Sequence, residues 1–408
     1  MITQRPDSAP DVKTAAIIGI SRYARYHLLI ALEQMLHGKL RLAAAVVINP
    51  EEEAFFCRRL RKLGCELYSS ADAMWQEWSG RVDLCFIPTG IHLHAPMTLQ
   101  ALNAGANVLV EKPLTATVHE GEAIIAAELR TSRFVAVGFQ DIYTDSTWSL
   151  KQRLLAGGIG EIRAITLVGL WPRHDGYYLR NEWAGRLMQE GQWVLDSPIN
   201  NAFAHFLNLG LFWAGTRLDR SASIEAVKCE LYRVQEIESF DTCCLRARLA
   251  EGPELRVYVT HSCREERIPR IMLEGTNGTM EWIQESHCNL ATVDGRKERV
   301  AVPGKFETKL TMADAVLARI DDPSVRICGT GIAIEHLRLV EAVHKAVQVV
   351  DVPAEFVRRR VANSATWKEI VGIEAAIDES SRHGRLFSEL AVPWASPAGR
   401  FAFNGTRG

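Results

Sequence analysis

Charge of one sign is in short supply in this 408-residue chain: 47 Lys and Arg against 49 Asp and Glu leave a formal net charge of −2. That balance excludes the electrostatic footprint by which proteins hold nucleic acid. No apolar run reaches the length of a bilayer span, so no membrane partner is expected, and the opening "MITQRPDSAPDVK" lacks the apolar core of a secretion signal. None of the nine cysteines stands in a C-x-x-C pair, and the closest two, Cys243 and Cys244, are adjacent. Such thiols fit a cytoplasmic protein and argue against a disulfide framework or a zinc site. Repeats and low-complexity tracts are absent. Glycine is scarce at one telling turn. In "AAIIGISRYARYH", residues 15–27, an apolar strand leads to Gly19 and then to an amphipathic stretch through Leu28, Leu29 and Leu32. The dinucleotide fingerprint G-x-G-x-x-G is met here by Gly19, Ser21 and Ala24.

What is present is a soluble composition, 47% hydrophobic and 24% charged, in a chain long enough for two domains. From residue 13 to 137 apolar strands alternate with helical segments, which predicts a doubly wound parallel sheet of Rossmann type. From 138 to 395 a helix near Trp148 precedes alternating strands such as "IRAITLVGL", "IEAVKCELYRV" and "ELRVYVTHS". These predict an α+β domain with a large, mostly antiparallel sheet, giving an α/β protein overall. Helices are expected over 96–103, 332–349 and 365–381, and disorder after Pro393.

At the glycine turn, Gly19 keeps the residue of the tight bend, and Ala24 is small enough for close helix–strand packing. Ser21 departs from the pattern, with a hydroxyl able to donate to a phosphate. Arg22, a cation opposing the dipole of a helix start, is accounted for by a bound phosphate. The competing reading is a turn that binds nothing. Asn49 stands after the second strand, where an Asp or Glu would take the ribose hydroxyls, so NAD and NADP both remain open.

The most informative stretch is "VDLCFIPTGIHLHAPMTLQALNAGANVLVEKPLT", residues 82–115. It holds a buried strand, a Pro88-Thr89 turn, a His-rich loop, and a second buried strand ending in Glu111-Lys112-Pro113. A lysine at the carboxyl end of a parallel strand sits where such sheets bind ligands, and desolvation lowers its pKa toward acid–base use. These residues resemble the Gfo/Idh/MocA (glucose–fructose oxidoreductase/inositol dehydrogenase) family, and the likeness extends over nearly the whole chain. The resemblance implies that Glu111 and Lys112 meet cofactor, and Lys112 substrate too. It likewise implies cofactor contacts for Pro88, Thr89, His94 and Gln140, a match for His27, and Ile142 where an Arg is usual. His92 and His94 lack a nearby acidic partner, so no metal is expected.

"WVLDSPINNAFAHFLNLGLFWAG", residues 193–215, carries a helix-start signal at Asp196, Ser197 and Pro198. By the resemblance, His205 occupies the family's catalytic histidine position, while Asn201 and Asn208 stand where carboxylates are usual; Asp196 has no assigned place. His205, alone on an apolar helix, also reads as an ordinary core residue. The loop "LWPRHDGYYLRNEWAGRLMQEG", residues 170–191, interleaves aromatics with arginines, and Arg173, Tyr177 and Trp183 are candidate substrate contacts. It reads equally as an oligomer interface.

The expected activity is hydride transfer between NAD or NADP and a secondary hydroxyl of a sugar, polyol or derivative, with Lys112, His205 and Asn201 at the reacting centre. Two alternatives stand beside it: an NAD-dependent glycosidase of the same fold, and a non-catalytic dinucleotide-binding regulator. The resemblance also implies a homodimer or homotetramer formed through the C-terminal sheet.

Overall fold

The computed structural model describes residues 12–250 and 252–403; most of the opening stretch considered above for leader character lies outside them. The uninterrupted apolar runs form β1 (Lys13–Ile18), β2 (Leu40–Val46), β3 (Glu66–Tyr68), β4 (Leu84–Ile87), β5 (Asn107–Val110) and β6 (Val135–Val137). Between them lie α1 (Ala24–Leu36), α2 (Ala54–Lys62), α3 (Ala71–Trp78), α4 (Ile91–Asn103) and α5 (Val118–Thr131). All strand pairs are parallel, in the order β3-β2-β1-β4-β5-β6. Connections leave in opposite directions at β1 and β4, which opens a crevice at their carboxyl ends.

A second unit begins with α6 (Asp145–Leu155), β7 (Ile162–Leu170), a single turn α7 (Asp175–Tyr178), the small ribbon β8 (Met188–Gln189) and β9 (Gln192–Trp193), and α8 (Ala204–Ala214). A meander follows through β10 (Ile224–Arg233), β11 (Thr242–Leu249), β12 (Glu254–Thr260), β13 (Arg267–Gly275), β14 (Gly278–Ile283), β15 (His287–Thr292) and β16 (Lys297–Ala301). Last come α9 (Lys305–Asp321), α10 (Thr330–Ala346), β17 (Val350–Asp351), β18 (Val357–Ala362), β19 (Ala365–Ile370), α11 (Ile373–His383) and β20 (Gly399–Ala402). The large sheet runs β16-β15-β14-β13-β7-β12-β11-β10-β17, with β20 added on β10. It is antiparallel except where β7 meets β12 and β10 meets β17.

Alternation along β7 shows how both sheet faces are filled. Ile165 and Leu167 join the main core with α8 and α10, whereas Val168 and Leu170 point into a second cluster with Ile373, Ile377, Phe387 and Trp394. The chain's own C-terminal segment thus covers the outer face of the central strands. The flank at β13–β16 is not covered in this way and carries exposed Arg270, Glu274 and Lys297.

Several local expectations are corrected. The His-rich loop is helix: α4 starts at Ile91 and carries Pro96 inside it, although proline signals a helix start from sequence alone. The helix signalled at Asp196 begins only at Ala204, because the Asp196 carboxylate is taken by loop and side-chain donors and residues 197–203 form turns. Helix over 365–381 is replaced by a hairpin, β18–β19, and the shorter α11. Its two-residue turn is Asn363-Ser364, at φ 52° and 59°, the left-handed pair that tight hairpins require. The tail beyond Pro393 contributes Trp394 to a core and β20 to the sheet. Across the 137/138 division the two units pack closely: α9 packs on α1, α10 packs on α5 and β6, and Val137 N donates to Cys328 O at 2.8 Å.

Candidate active site

A cleft of about 640 Å³ lies where the carboxyl ends of the parallel strands face the loop after β7. The segments after β1, β4, β5 and β6 deliver pieces of its wall, with Gly19, Ser21, Ala24 and Asn49 just behind or beside it. After β1, Gly19 takes φ +93°, a conformation that L side chains rarely adopt, and a Cβ there would approach Thr89 Cγ2 at 3.7 Å. Ala24 is buried at the start of α1, a helix whose N-terminus has no side-chain cap. Ser21 and Asn49 are brought together: Ser21 Oγ donates to Asn49 Oδ1 at 2.9 Å, and Asn49 Nδ2 donates to Glu52 Oε2 at 2.8 Å. The carboxylate that position 49 lacks is thus supplied three residues on. Arg22 turns away from Asn49; its guanidinium crosses the cleft and donates to Arg180 O.

After β4 and β5 come Pro88, Thr89, Glu111 and Lys112, all lining the cleft. His94 does not line it. It is 1% exposed behind the wall, with Nδ1 2.7 Å from Pro113 O and Nε2 3.2 Å from Thr89 O, so it ties the β4 loop to the β5 loop. The Lys112–Pro113 peptide is cis. Glu111 is buried and receives His27 Nε2 at 2.9 Å and the Lys112 N–H at 2.8 Å, with Lys309 Nζ 3.8 Å away. Burial alone would raise its pKa, but these donors and cations hold the carboxyl well below the usual carboxylate range.

Lys112 Nζ donates to Asn201 O at 2.7 Å and to Asn201 Oδ1 at 2.9 Å. Asn201 Nδ2 in turn donates to Asp196 Oδ1 at 2.9 Å, and Asp196 Oδ2 accepts the Gly185 N–H at 2.6 Å. The relay fixes the amide with its oxygen toward the lysine. Burial pushes Lys112 down to about 8, partly offset by the charges of Glu111 and Asp196. His205 stands on the same wall, and burial and then Lys112 drive its pKa well below the ordinary value, leaving a neutral imidazole. Its Nδ1 lies 3.9 Å from Asp141 Oδ2, too far for a hydrogen bond. Burial, reinforced by Glu285, pushes Asp141 up to about 6.

The facing wall is aromatic and cationic. Arg173 lies over Trp171 (5.5 Å) and Tyr177 (4.8 Å), and Arg180 over Tyr177 (3.7 Å) and Trp183 (5.6 Å). The loop is braced from outside, where Thr366 N donates to Asp175 Oδ1 at 3.1 Å and Trp367 packs on His174. Four buried polar atoms of the cleft wall have no protein partner: Thr89 Oγ1, Gln140 Oε1, Arg173 Nε and His205 Nδ1. Each such atom costs about 1–3 kcal/mol, which marks a surface shaped for a polar ligand. Among the described residues no three His, Cys, Asp or Glu side chains form a metal-binding group, and no helix is long and apolar enough to cross a membrane.

Sequence reasoning misses Tyr23, Asp141, Lys305 and Lys309 and leaves Asp196 unplaced. Lys309 reaches Tyr23 Oη (2.8 Å) from a helix 286 residues further on, a contact that no local pattern announces.

Residues 13–139 match the Gfo/Idh/MocA oxidoreductase family, described as having an NAD-binding Rossmann fold. Among curated proteins, the chain is 28% identical over 178 residues to a dTDP-3,4-didehydro-2,6-dideoxy-alpha-D-glucose 3-reductase of Streptomyces antibioticus, covering 43% of this chain and 52% of that protein. It is 27% identical over 146 residues to scyllo-inositol 2-dehydrogenase (NAD(+)) of Bacillus subtilis, covering 36% and 41%. The chain therefore spans about half the length of such relatives. Among solved structures, an inositol dehydrogenase homolog from Azotobacter vinelandii, complexed with NAD+, superposes with a TM-score of 0.71 at 17% identity, covering 84% of this chain and 96% of that one. WlbA dehydrogenase from Bordetella pertussis, in complex with NADH and UDP-GlcNAcA, gives 0.65 at 19% identity, covering 82% and 95%. These likenesses establish the shared fold across both units. The family match therefore covers the N-terminal unit, residues 13–139, and the likeness of the remainder is one of fold.

Proposed function

We propose that this protein is an NAD(H)-dependent oxidoreductase that transfers a hydride to or from a secondary hydroxyl of a sugar, polyol or sugar derivative. One observation carries the reading: a desolvated lysine, held by two acceptors at a strand end, faces the cleft that the Gly19 turn also opens into. The residues fit a dinucleotide, since Gly19 has the required backbone, α1 is uncapped, and Thr89 Oγ1 and Gln140 Oε1 lack partners. Gly19, Ser21, Ala24, Thr89 and Gln140 would hold it, and when bound it supplies the hydride acceptor or donor.

The proton is the protein's responsibility. A lysine ammonium has three N–H groups, and Asn201 accepts two, so one remains for substrate. The neutral amine keeps those two bonds and turns a lone pair to the same point. Lys112 therefore accepts the hydroxyl proton in oxidation and returns it in reduction without moving. Asn201 and Asp196 are positioning residues in this scheme, while neutral His205 offers a second hydrogen bond to the reacting hydroxyl.

The test of this relay is a pH profile. Oxidation needs neutral Lys112, so its rate should rise with pH through about 8. The Asp196 charge raises the lysine's pKa, so Asp196→Asn should move that limb to lower pH. A limb that stays in place would remove Asp196 from the relay, even if turnover fell.

Cofactor choice follows from Glu52, which sets a negative charge beside Asn49 and disfavours a 2′-phosphate. Calorimetry should show NADH binding tighter than NADPH. Glu52→Gln should improve NADPH relative to NADH about fivefold, since a like charge ~4 Å away in water costs ~1 kcal/mol. A native preference for NADPH would contradict this assignment.

A further inference from the structure

We infer that the substrate is an acidic sugar, a polyhydroxylated molecule whose anionic substituent is bound by Arg173 and Arg180. The inference rests on the cleft being the substrate cleft of the reaction above, and it names the substrate class that this cleft selects. Five cationic side chains line it: Arg22, Lys112, Arg173, Arg180 and Lys305. Its two carboxylates do not balance them. Glu111 is engaged by His27 and Lys309, and Asp141 lies 3.9 Å from His205 Nδ1. Among the described residues, neither Arg173 nor Arg180 has a carboxylate within ion-pairing distance, whereas most arginines of the large sheet do.

The two guanidinia are also held for recognition. Both lie over the Tyr177 ring, and each has a tryptophan as a further neighbour, which fixes their planes. Arg173 Nε is buried without a partner, so one edge of its fork is unsatisfied by the protein. Two guanidinia without a carboxylate in ion-pairing contact, on an aromatic wall, fit an anion with several acceptor oxygens, a carboxylate or a phosphate ester. A neutral polyol would leave Arg173 without a counter-charge and Arg180 with only the through-space charge of Asp196. Lys112 lies across the same cleft, so an anion docked on the arginines points the rest of a sugar toward the proton-transfer group.

The experiment reads binding without turnover. NADH-loaded protein is titrated calorimetrically with D-glucuronate, D-galacturonate and D-gluconate, with D-glucose 6-phosphate, and with neutral D-glucose and D-galactose. At least one acid should bind tenfold or more tightly than its neutral parent, with affinity falling as salt rises. Arg173→Gln and Arg180→Gln should each lower that affinity about tenfold while NADH affinity stays unchanged. Arg173→Lys should fall between, keeping the charge and losing the fork. Preference for the sugar acids identifies a carboxylate, and preference for the 6-phosphate a phosphoryl group. The inference is overturned if a neutral parent binds as tightly as its acid, if both glutamine variants retain the acid's affinity, or if no acid binds. An acid that binds through these arginines but is never oxidised would sink the hydride-transfer reading and leave this one standing. A neutral polyol oxidised in a Lys112-dependent manner, with no acid bound, would do the reverse.

Discussion

Lys112→Ala should lower turnover by about 10² to 10⁴ at saturating cofactor, the usual loss for a general acid–base group. Lys112→Arg should fare little better. Guanidinium stays protonated at any accessible pH, and its planar fork cannot reproduce one nitrogen donating to both Asn201 oxygens. NADH affinity should change far less than turnover in both variants, because the glycine turn and Thr89 are untouched. The rise in oxidation rate near pH 8 should vanish with the amine. The alternative is a lysine that only anchors the cofactor. On that view Lys112→Arg keeps most activity, and the loss in Lys112→Ala tracks NADH affinity. Steady-state rates across pH for both variants, with parallel calorimetry, separate the two.

Lys309→Met should destabilise the fold by about 3 kcal/mol. Lys309 is 1% exposed, donates to Tyr23 Oη at 2.8 Å, lies 4.8 Å from the Tyr23 ring centre and faces buried Glu111. Removing one partner of a buried ion pair leaves the other charge uncompensated, typically costing 3–5 kcal/mol. The lower end applies here, because His27 and the Lys112 N–H still hold Glu111. The bond also joins α9 to the glycine-turn helix, so the first unfolding transition should weaken in urea and heat. A midpoint equal to wild type would show that Lys309 is not holding Glu111.

The parallel sheet was legible because its strands are buried on both faces and read as unbroken apolar runs. Lys112 was legible for a related reason: a charged pair directly after "NVLV" stands at a strand end, where a ligand is needed to explain it. The aromatic and arginine loop was visible as composition, though not its stacking on Tyr177. What escaped depends on distant chain. Asp196 looked like a helix cap, and only the fold turns it toward Asn201. Glu52 is hidden from the sequence pattern, which places the ribose carboxylate at position 49, although a carboxylate three residues on reaches the Asn49 amide. The motif marks His94 as a cofactor contact, whereas its burial makes it a tie between two loops. At the C-terminus, helical periodicity over 365–381 competed with β-branched alternation and the Asn363-Ser364 turn, and the turn prevailed.

The most direct test mixes the protein with NAD+ and the acidic-sugar panel, then compares NADH, read by its near-ultraviolet absorbance, with the carbonyl product formed. The account predicts NADH and carbonyl product in equal amounts, at rates at least about 100-fold lower for Lys112→Ala. Bound cofactor with no NADH from any sugar, polyol or glycoside would contradict it, as would cleavage of a glycoside without net NADH.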